Sequence, residues 1–397
     1  MDKVRLLFAN PGQDMAREIR LCWHSDVEQC LLQVSGMPSV CVYGKLTYGD
    51  YLDYGPYYKF EHAVTGLTPD SEYTYTVTAE DFTTEERRFR TGREDLSPGV
   101  IGIFSDVHMM PEEESKVGIC DDLLDKLHKL VGEPDFTIFC GDVVQRGAYY
   151  QQWELFGHPQ FVRRYTMAPV AGNHDYYLTD KVRRENSRFV AICNTPDNGA
   201  PEVATSYYFI TNRVLFAILD PIVEECVSAT VTQRDLANQE KWLRGVFETN
   251  AGKYDYIVVL QHYPHFVADG GGSVGWGGYH RWRELFDEFG VDMAISGDYH
   301  CYVCSKPLYG DTPVEPGRGT VYVTVPMIAT SYYESAFRGD DKVEWLDVLD
   351  GNMATTGACY LKVNDRGLEF ATFDGEGKVR HNVIVPVRNR NKSVDAT

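Results

Sequence analysis

The sequence predicts two units in one chain: an N-terminal β-sandwich, then an α/β sandwich of two facing mixed sheets flanked by helices. Three observations carry that expectation. Up to about Asp95 the chain is strand and turn alone; from Gly99 apolar strands alternate with amphipathic segments; after about Gly319 strands dominate again. With 397 residues, 43% of them hydrophobic and 24% charged, the chain has enough apolar material for two cores.

In chain order, Glu18 to Trp23 and Tyr73 to Val77 alternate apolar and polar side chains, as half-buried strands do. Before the second run stands Gly66-Leu67-Thr68-Pro69-Asp70-Ser71-Glu72-Tyr73. It resembles the turn of fibronectin type III domains in which a tyrosine hydroxyl bonds back to nearby backbone, and Tyr73 is the candidate corner tyrosine. Thr91 to Pro98 reads as a linker of polar and turn residues. Beyond it, Val100 to Phe104, Phe136 to Phe139, Tyr256 to Leu260 and Val291 to Ile295 are apolar runs suited to strands buried on both faces. Between them Asp121 to Leu130, Gln233 to Phe247 and Arg281 to Phe289 carry apolar residues at helical spacing. Val321 to Val325, Tyr360 to Val363 and a glycine-containing hairpin around Asp374 to Gly377 complete the second unit. The boundaries are 1–95 for the sandwich, 96–390 for the α/β unit and 391–397 for a polar tail.

Charge and cysteine usage narrow the class. A formal net charge of −20 argues against nonspecific nucleic-acid binding, which needs clustered Lys and Arg, so any phosphate site is local. The ten cysteines are scattered through expected strands and helices, which suits free, mostly buried thiols in a reducing compartment. No apolar run reaches about twenty residues, and the first ten residues lack a signal-peptide hydrophobic region. A cytoplasmic protein without a membrane partner is expected, or a secreted one if a leader has been removed. The sequon at Asn391 then carries no meaning, and no oligomeric state is assigned.

Five short segments place metal-binding side chains where strands are expected to end: Ser-Asp106-Val-His108, Gly-Asp142, Gly-Asn173-His174-Asp175, Gln-His262-Tyr-Pro and Gly-Asp298-Tyr-His300. Each is common by itself. In this order they supply carboxylate, imidazole and amide donors in numbers that fill two coordination spheres. Ligands of open α/β sheets gather beyond strand ends, so the five can converge, and Asp142 is the natural bridge.

The ordered set resembles the calcineurin-like metallophosphoesterase superfamily, whose pattern runs Asp-x-His, Gly-Asp, Gly-Asn-His-Asp or Glu, a separate His and Gly-His-x-His. The resemblance covers about Gly99 to His300, and the preceding sandwich is similar to the N-terminal domain of purple acid phosphatases. It implies a first metal held by Asp106, His108, Asp142 and His300, and a second by Asp142, Asn173, His262 and Asp298. It also implies that His174 assists the leaving group, with Asp175 orienting its imidazole. Gly141 to Gly147 resembles a serine/threonine-phosphatase segment in which Arg146 would fork onto substrate phosphate.

Three departures matter. Gln145 stands where purple acid phosphatases use a tyrosine ligand, and His108 where they carry glycine, so a ligand is exchanged and an enzyme that is colourless, or coloured only weakly by iron, is expected. Asp298 stands where the family has histidine. A carboxylate there favours Mn²⁺, Mg²⁺ or iron over Zn²⁺, and of the two divalent ions expected from Mn, Fe, Zn and Mg, Mn or Fe is favoured. His265, Trp276 and Tyr279 are candidate substrate contacts, the last two on a glycine-rich loop that lacks the P-loop ending. Cys301 and Cys304 form a C-x-x-C without a second pair at zinc spacing, so packed thiols are expected. The function expected is hydrolysis of a small phosphomonoester or phosphodiester by a metal-bridging hydroxide; the alternative is a binding or adhesion module with a degenerate metal site.

Overall fold

The computed structural model describes residues 3–49, 51–179, 182–183, 187–221, 229–266, 279–328, 346–350 and 356–388. Trp276, most of the glycine-rich segment, Cys226 and the tail lie outside them. Two sheets make the N-terminal sandwich. One runs Val4–Pro11, Glu18–Ser25, Tyr57–Thr65, Lys45–Thr47; the other runs Val40–Tyr43, Gln29–Val34, Glu72–Ala79, Phe82–Thr83, with Arg87–Arg90 also pairing Glu72–Ala79. Alternate residues point inward and meet as Leu21, Trp23, Phe60, Leu32, Val77 and Phe89, with Trp23 stacked on Phe60 at 5.0 Å. The Tyr73 hydroxyl accepts the Thr68 N–H at 3.0 Å, closing the turn between them.

The second unit is a mixed α/β sandwich of two facing sheets. The first sheet orders Met167–Pro169, Phe136–Phe139, Gly99–Phe104, Gly357–Asn364, Gly367–Asp374 and Val379–Pro386. The second orders Tyr207–Thr211, Val214–Ile218, Tyr256–Leu260, Met293–Ser296, Val321–Thr324, Tyr302–Ser305 and Leu346–Asp350. In each, the strands nearest the expected ligands run parallel; antiparallel strands extend the first sheet on one side and the second on both. The pleat sends Ile101, Ile103, Ile138, Val258, Leu260 and Ile295 into the layer between the sheets. Phe104 and Phe139 face the helix Ser115–Val131, and Ile257 and Val259 face Ala229–Thr249 and Tyr279–Phe289. Strands covered on both sides are apolar throughout for that reason.

The segment expected to be a linker is packed. Gly92 N–H donates to the Met15 carbonyl, Thr91 Oγ1 donates to the Thr68 carbonyl, and the Arg93 carbonyl accepts from Asn212. The two units are also joined around His24, whose ring stacks on Tyr57 at 4.2 Å, with Nδ1 paired to the Tyr150 hydroxyl and Nε2 to the Ala191 carbonyl. All described cysteines are free, and all but Cys41 are buried. Among the described residues no helix is long and apolar enough to cross a membrane.

Candidate metal centre

Parallel strands of both sheets end at one edge, and the loops after them bring the predicted side chains together. Asp106 and His108 follow Gly99–Phe104; Asp142 follows Phe136–Phe139; Asn173 and His174 follow Met167–Pro169; His262 follows Tyr256–Leu260; Asp298 and His300 follow Met293–Ser296. Backbone bonds zip these loops to one another: Asp106 N–H to the Gly141 carbonyl, His108 N–H to the Asp142 carbonyl, and Gly297 N–H to the His262 carbonyl. Glycine is required where the chains touch. A Cβ at Gly141 would strike the His262 ring, and one at Gly172 would strike Asp142.

The donor atoms form two groups around Asp142. On one side, His108 Nε2 lies 3.6 Å from Asp142 Oδ2 and 3.2 Å from His300 Nε2, which is itself 3.3 Å from Asp106 Oδ1. On the other, His262 Nε2 lies 3.3 Å from Asp142 Oδ1, 3.1 Å from Asn173 Oδ1 and 3.6 Å from Asp298 Oδ1. His262 Nδ1 donates to the Cys140 carbonyl at 2.6 Å, so whenever the ring is neutral its Nε2 turns a bare lone pair to three oxygens. Lone pairs converging on one point in a buried site need a cation between them. The donor set, imidazole nitrogen with carboxylate and amide oxygen, fits divalent Mn, Fe or Zn.

The electrostatics say the same. Burial opposes charge on His262, yet Asp142, Asp106 and Asp298 outweigh it and hold the imidazole well above its usual range. Burial brings His108 down to about 3, because the carboxylates near it do not compensate. Desolvation pushes Asp298 up to about 6, helped by Asp142 and Asp106 and opposed chiefly by His262. Desolvation also disfavours ionised Asp142, but His262, His174 and His108 hold it below the ordinary carboxylate range.

His174 stands beside both groups. Its Nδ1 pairs with the Gln145 carbonyl at 2.9 Å, its Nε2 lies 4.0 Å from Asp142 Oδ2, and its ring packs on Tyr177 at 4.5 Å. The orienting role expected of Asp175 is corrected here. Asp175 accepts the backbone N–H groups of Gly172, Asp142, Val143 and Val144, whereas a backbone carbonyl orients His174. The two residues share the 3₁₀ turn His174–Tyr176, where successive side chains diverge by about 120°, so they face apart.

Arg146 is half-buried beside Gln145, and its N–H donates to Gln152 Oε1 at 2.8 Å. His265 is buried against Phe286 and Tyr322, and burial lowers its imidazole to about 3. Tyr279 starts a helix with its ring against Phe266 and Tyr322 and its hydroxyl donating to the Gly310 carbonyl, so its contacts are with the fold. Sequence reasoning missed four supports: the carbonyls of Cys140 and Gln145, Lys116 Nζ donating to the His108 carbonyl at 2.8 Å, and the Tyr177 hydroxyl accepting from Asn173 Nδ2 at 3.0 Å. Carbonyls leave no signal in a sequence. Tyr177 had one, since it follows Asn173 by four residues in the same motif.

Comparison with known proteins agrees with this geometry. A family model described as calcineurin-like phosphoesterase matches residues 99–302. Two uncharacterized proteins of Mycobacterium tuberculosis, from strains CDC 1551 / Oshkosh and ATCC 25618 / H37Rv, are each 24% identical over 362 residues, covering 79% of this chain and 67% of theirs. The purple acid phosphatase PPD1 of yellow lupin (Lupinus luteus) superposes with a TM-score of 0.78 at 16% identity, over 98% of this chain and 75% of its own. PhoD superposes with a TM-score of 0.66 at 10% identity, over 100% of this chain and 93% of its own.

Proposed function

The chain belongs to the calcineurin-like phosphoesterase family, and from that premise we propose that it is a binuclear phosphoesterase acting on a small phosphomonoester or phosphodiester. The observation that supports this most is the division of Asp142, whose Oδ2 turns to His108 at 3.6 Å while Oδ1 turns to His262 at 3.3 Å. Asp106, His108, Asp142 and His300 would hold one cation, and Asp142, Asn173, His262 and Asp298 the other. Bound there, two divalent ions supply Lewis acidity and a water that ionises near neutral pH.

The protein's own residues do the rest. Gln145 keeps the Nδ1 proton of His174 occupied, which leaves Nε2 to deliver a proton to the departing ester oxygen as the P–O bond breaks. At 15% side-chain exposure, against 0% for His262 and 3% for His108, His174 is the imidazole of these three most open to a substrate. Arg146 would bind phosphoryl oxygens, a need sharpened by the net charge of −20. The lupin neighbour is a phosphatase whose fold spans both units of this chain, so monoesters are the first substrates to try.

The test is to purify the protein, count its metals and assay aryl phosphate mono- and diesters with added Mn²⁺. Turnover that Asp142→Asn abolishes is expected. Fewer than about one metal per chain together with no turnover would overturn the proposal in favour of a binding module with a degenerate site.

A further inference from the structure

A second cluster of metal-binding side chains lies where the two facing sheets meet away from the centre just described. Cys304, Asp347 and His381 each offer one donor atom, and the three lie within 4.8 Å of one another. Cys304 and Asp347 come from neighbouring strands of one sheet, Tyr302–Ser305 and Leu346–Asp350; His381 comes from Val379–Pro386 of the other.

The strands are irregular where these residues sit. Cys304 pairs with Val348 but Ser305 pairs with Leu346, so Asp347 is an extra residue in the ladder. Across the gap Thr372 pairs with His381 but Phe373 pairs with Val379, which makes Arg380 the extra residue beside His381. Bulges of this kind re-aim side chains. The result here is that Asp347 Oδ2 lies 3.3 Å from His381 Nε2, while the Tyr302 hydroxyl lies 3.0 Å from His381 Nδ1. An oxygen partner on the far nitrogen is how metal-ligating histidines are held, and here the Tyr302 hydroxyl fills that place and leaves the near nitrogen to the ion.

We infer that Cys304, Asp347 and His381 form a site for one zinc-class divalent ion, open to water at its fourth position, that staples the two sheets together. Thiolate, imidazole and carboxylate are the donors zinc takes, and water completes the tetrahedron. Donors of a tetrahedral zinc stand about 3.5 Å apart, so the cluster would close by a modest turn of Asp347, whose side chain is 43% exposed. Cys304 is fully buried, which gives the ion a dry side, and the exposed Asp347 side gives it a way in. Binding replaces the thiol proton, which leaves to solvent, with a metal–sulfur bond, and no oxidant or reductant is required. A C-x-x-C reading of the sequence could not find this site, because Cys301 is not among the three donors and Asp347 and His381 lie far along the chain from Cys304.

The proposal stands apart from the phosphoesterase reading, and so does its test. Chelator-stripped full-length protein is titrated with Co²⁺ and read by near-ultraviolet absorption, where thiolate-to-cobalt charge transfer appears. No donor of the Asp142 centre is sulfur, so the band does not arise there, and its loss in Cys304→Ser separates Cys304 from the other thiols, the exposed Cys41 among them. It is expected in wild type, retained in Asp142→Asn, lost in Cys304→Ser and displaced by Zn²⁺. Asp347→Ala keeps the test open should the buried serine variant fail to fold: on this exposed side chain, Co²⁺ binding should weaken on the order of 10- to 100-fold or more. The absence of any thiolate band in wild type at saturating Co²⁺, or a band unchanged in both variants, would overturn the site.

Discussion

Replacing Asp175 by asparagine separates two accounts of that side chain. Its carboxylate is buried and accepts N–H groups from Gly172 at 2.8 Å, Asp142 at 3.1 Å, Val143 at 3.0 Å and Val144 at 3.2 Å. Asparagine keeps the size and one acceptor oxygen, but its amide nitrogen would point a donor at two of those N–H groups. Burial and Asp142 push the Asp175 carboxyl well above the usual range against the pull of these N–H groups, so its charge is left out of the sum: each buried donor left without an acceptor costs about 1–3 kcal/mol, and losing two costs about 2–6 kcal/mol. With an unfolding entropy of about 2.1 cal/mol/K per residue, 397 residues give roughly 0.8 kcal/mol per degree. A loss of about 4 kcal/mol therefore lowers Tm by roughly 5 °C. The assay is thermal unfolding followed by circular dichroism, with both proteins stripped by chelator so that metal loss does not enter. If Asp175→Asn melts within about 1 °C of wild type and only kcat falls, the carboxylate acts on His174 and the account from the backbone amides is wrong.

Other outcomes follow from the same geometry. Asp298→Ala should weaken the second metal while Asp298→His preserves it, because only a donor near His262 Nε2 is needed; equal metal affinity in wild type and the alanine variant, by calorimetry, would remove Asp298 from the ligand set. His174→Ala should lower kcat by about 10²–10⁴-fold with metal content unchanged, and loss of metal in that variant would contradict its placement as a proton donor. Burial brings His24 down to about 3, below the ~6.5 of an unfolded histidine, so between those values only the unfolded chain binds the proton and stability falls with pH. From pH 7 to pH 5 that loss is about 2 kcal/mol; urea unfolding at both pH values should show it shrinking in His24→Gln, and an equal loss in variant and wild type would rule His24 out.

What could be read in the sequence depended on which force set each feature. The runs Phe136–Phe139 and Tyr256–Leu260 coincide with the strands residue for residue, since burial on both faces writes itself into composition. The helix Ser115–Val131 begins six residues before its amphipathic run, because its first turns are held by tertiary contacts such as Lys116 to the His108 carbonyl. The linker looked loose from its polar residues, but those side chains and amides are spent on bonds to Met15, Thr68 and Asn212. At the centre, which side chains converge was legible because few residue types serve as metal donors. Their orientation was not, because it rests on backbone carbonyls and on the turn that sends His174 and Asp175 apart.

The backbone at the centre shows what these donors cost. Asp106, His108, Asp142, Asp298 and His300 all have left-handed backbones, with φ of 55°, 50°, 51°, 65° and 55°. A non-glycine residue there is strained on the order of 1 kcal/mol or more, and such residues gather at functional sites. Glycine would relieve the strain at each position but brings no ligand atom. The positions are thus held against local preference by what surrounds them: the apolar strands behind, the loop-to-loop bonds between, and the Asp175 carboxylate under the 142–144 turn. Converging lone pairs and buried like charges add to that strain, and a cation held among these donors would offset both. A chain that needed this edge only for packing would have no reason to place five strained, charged or titratable residues there.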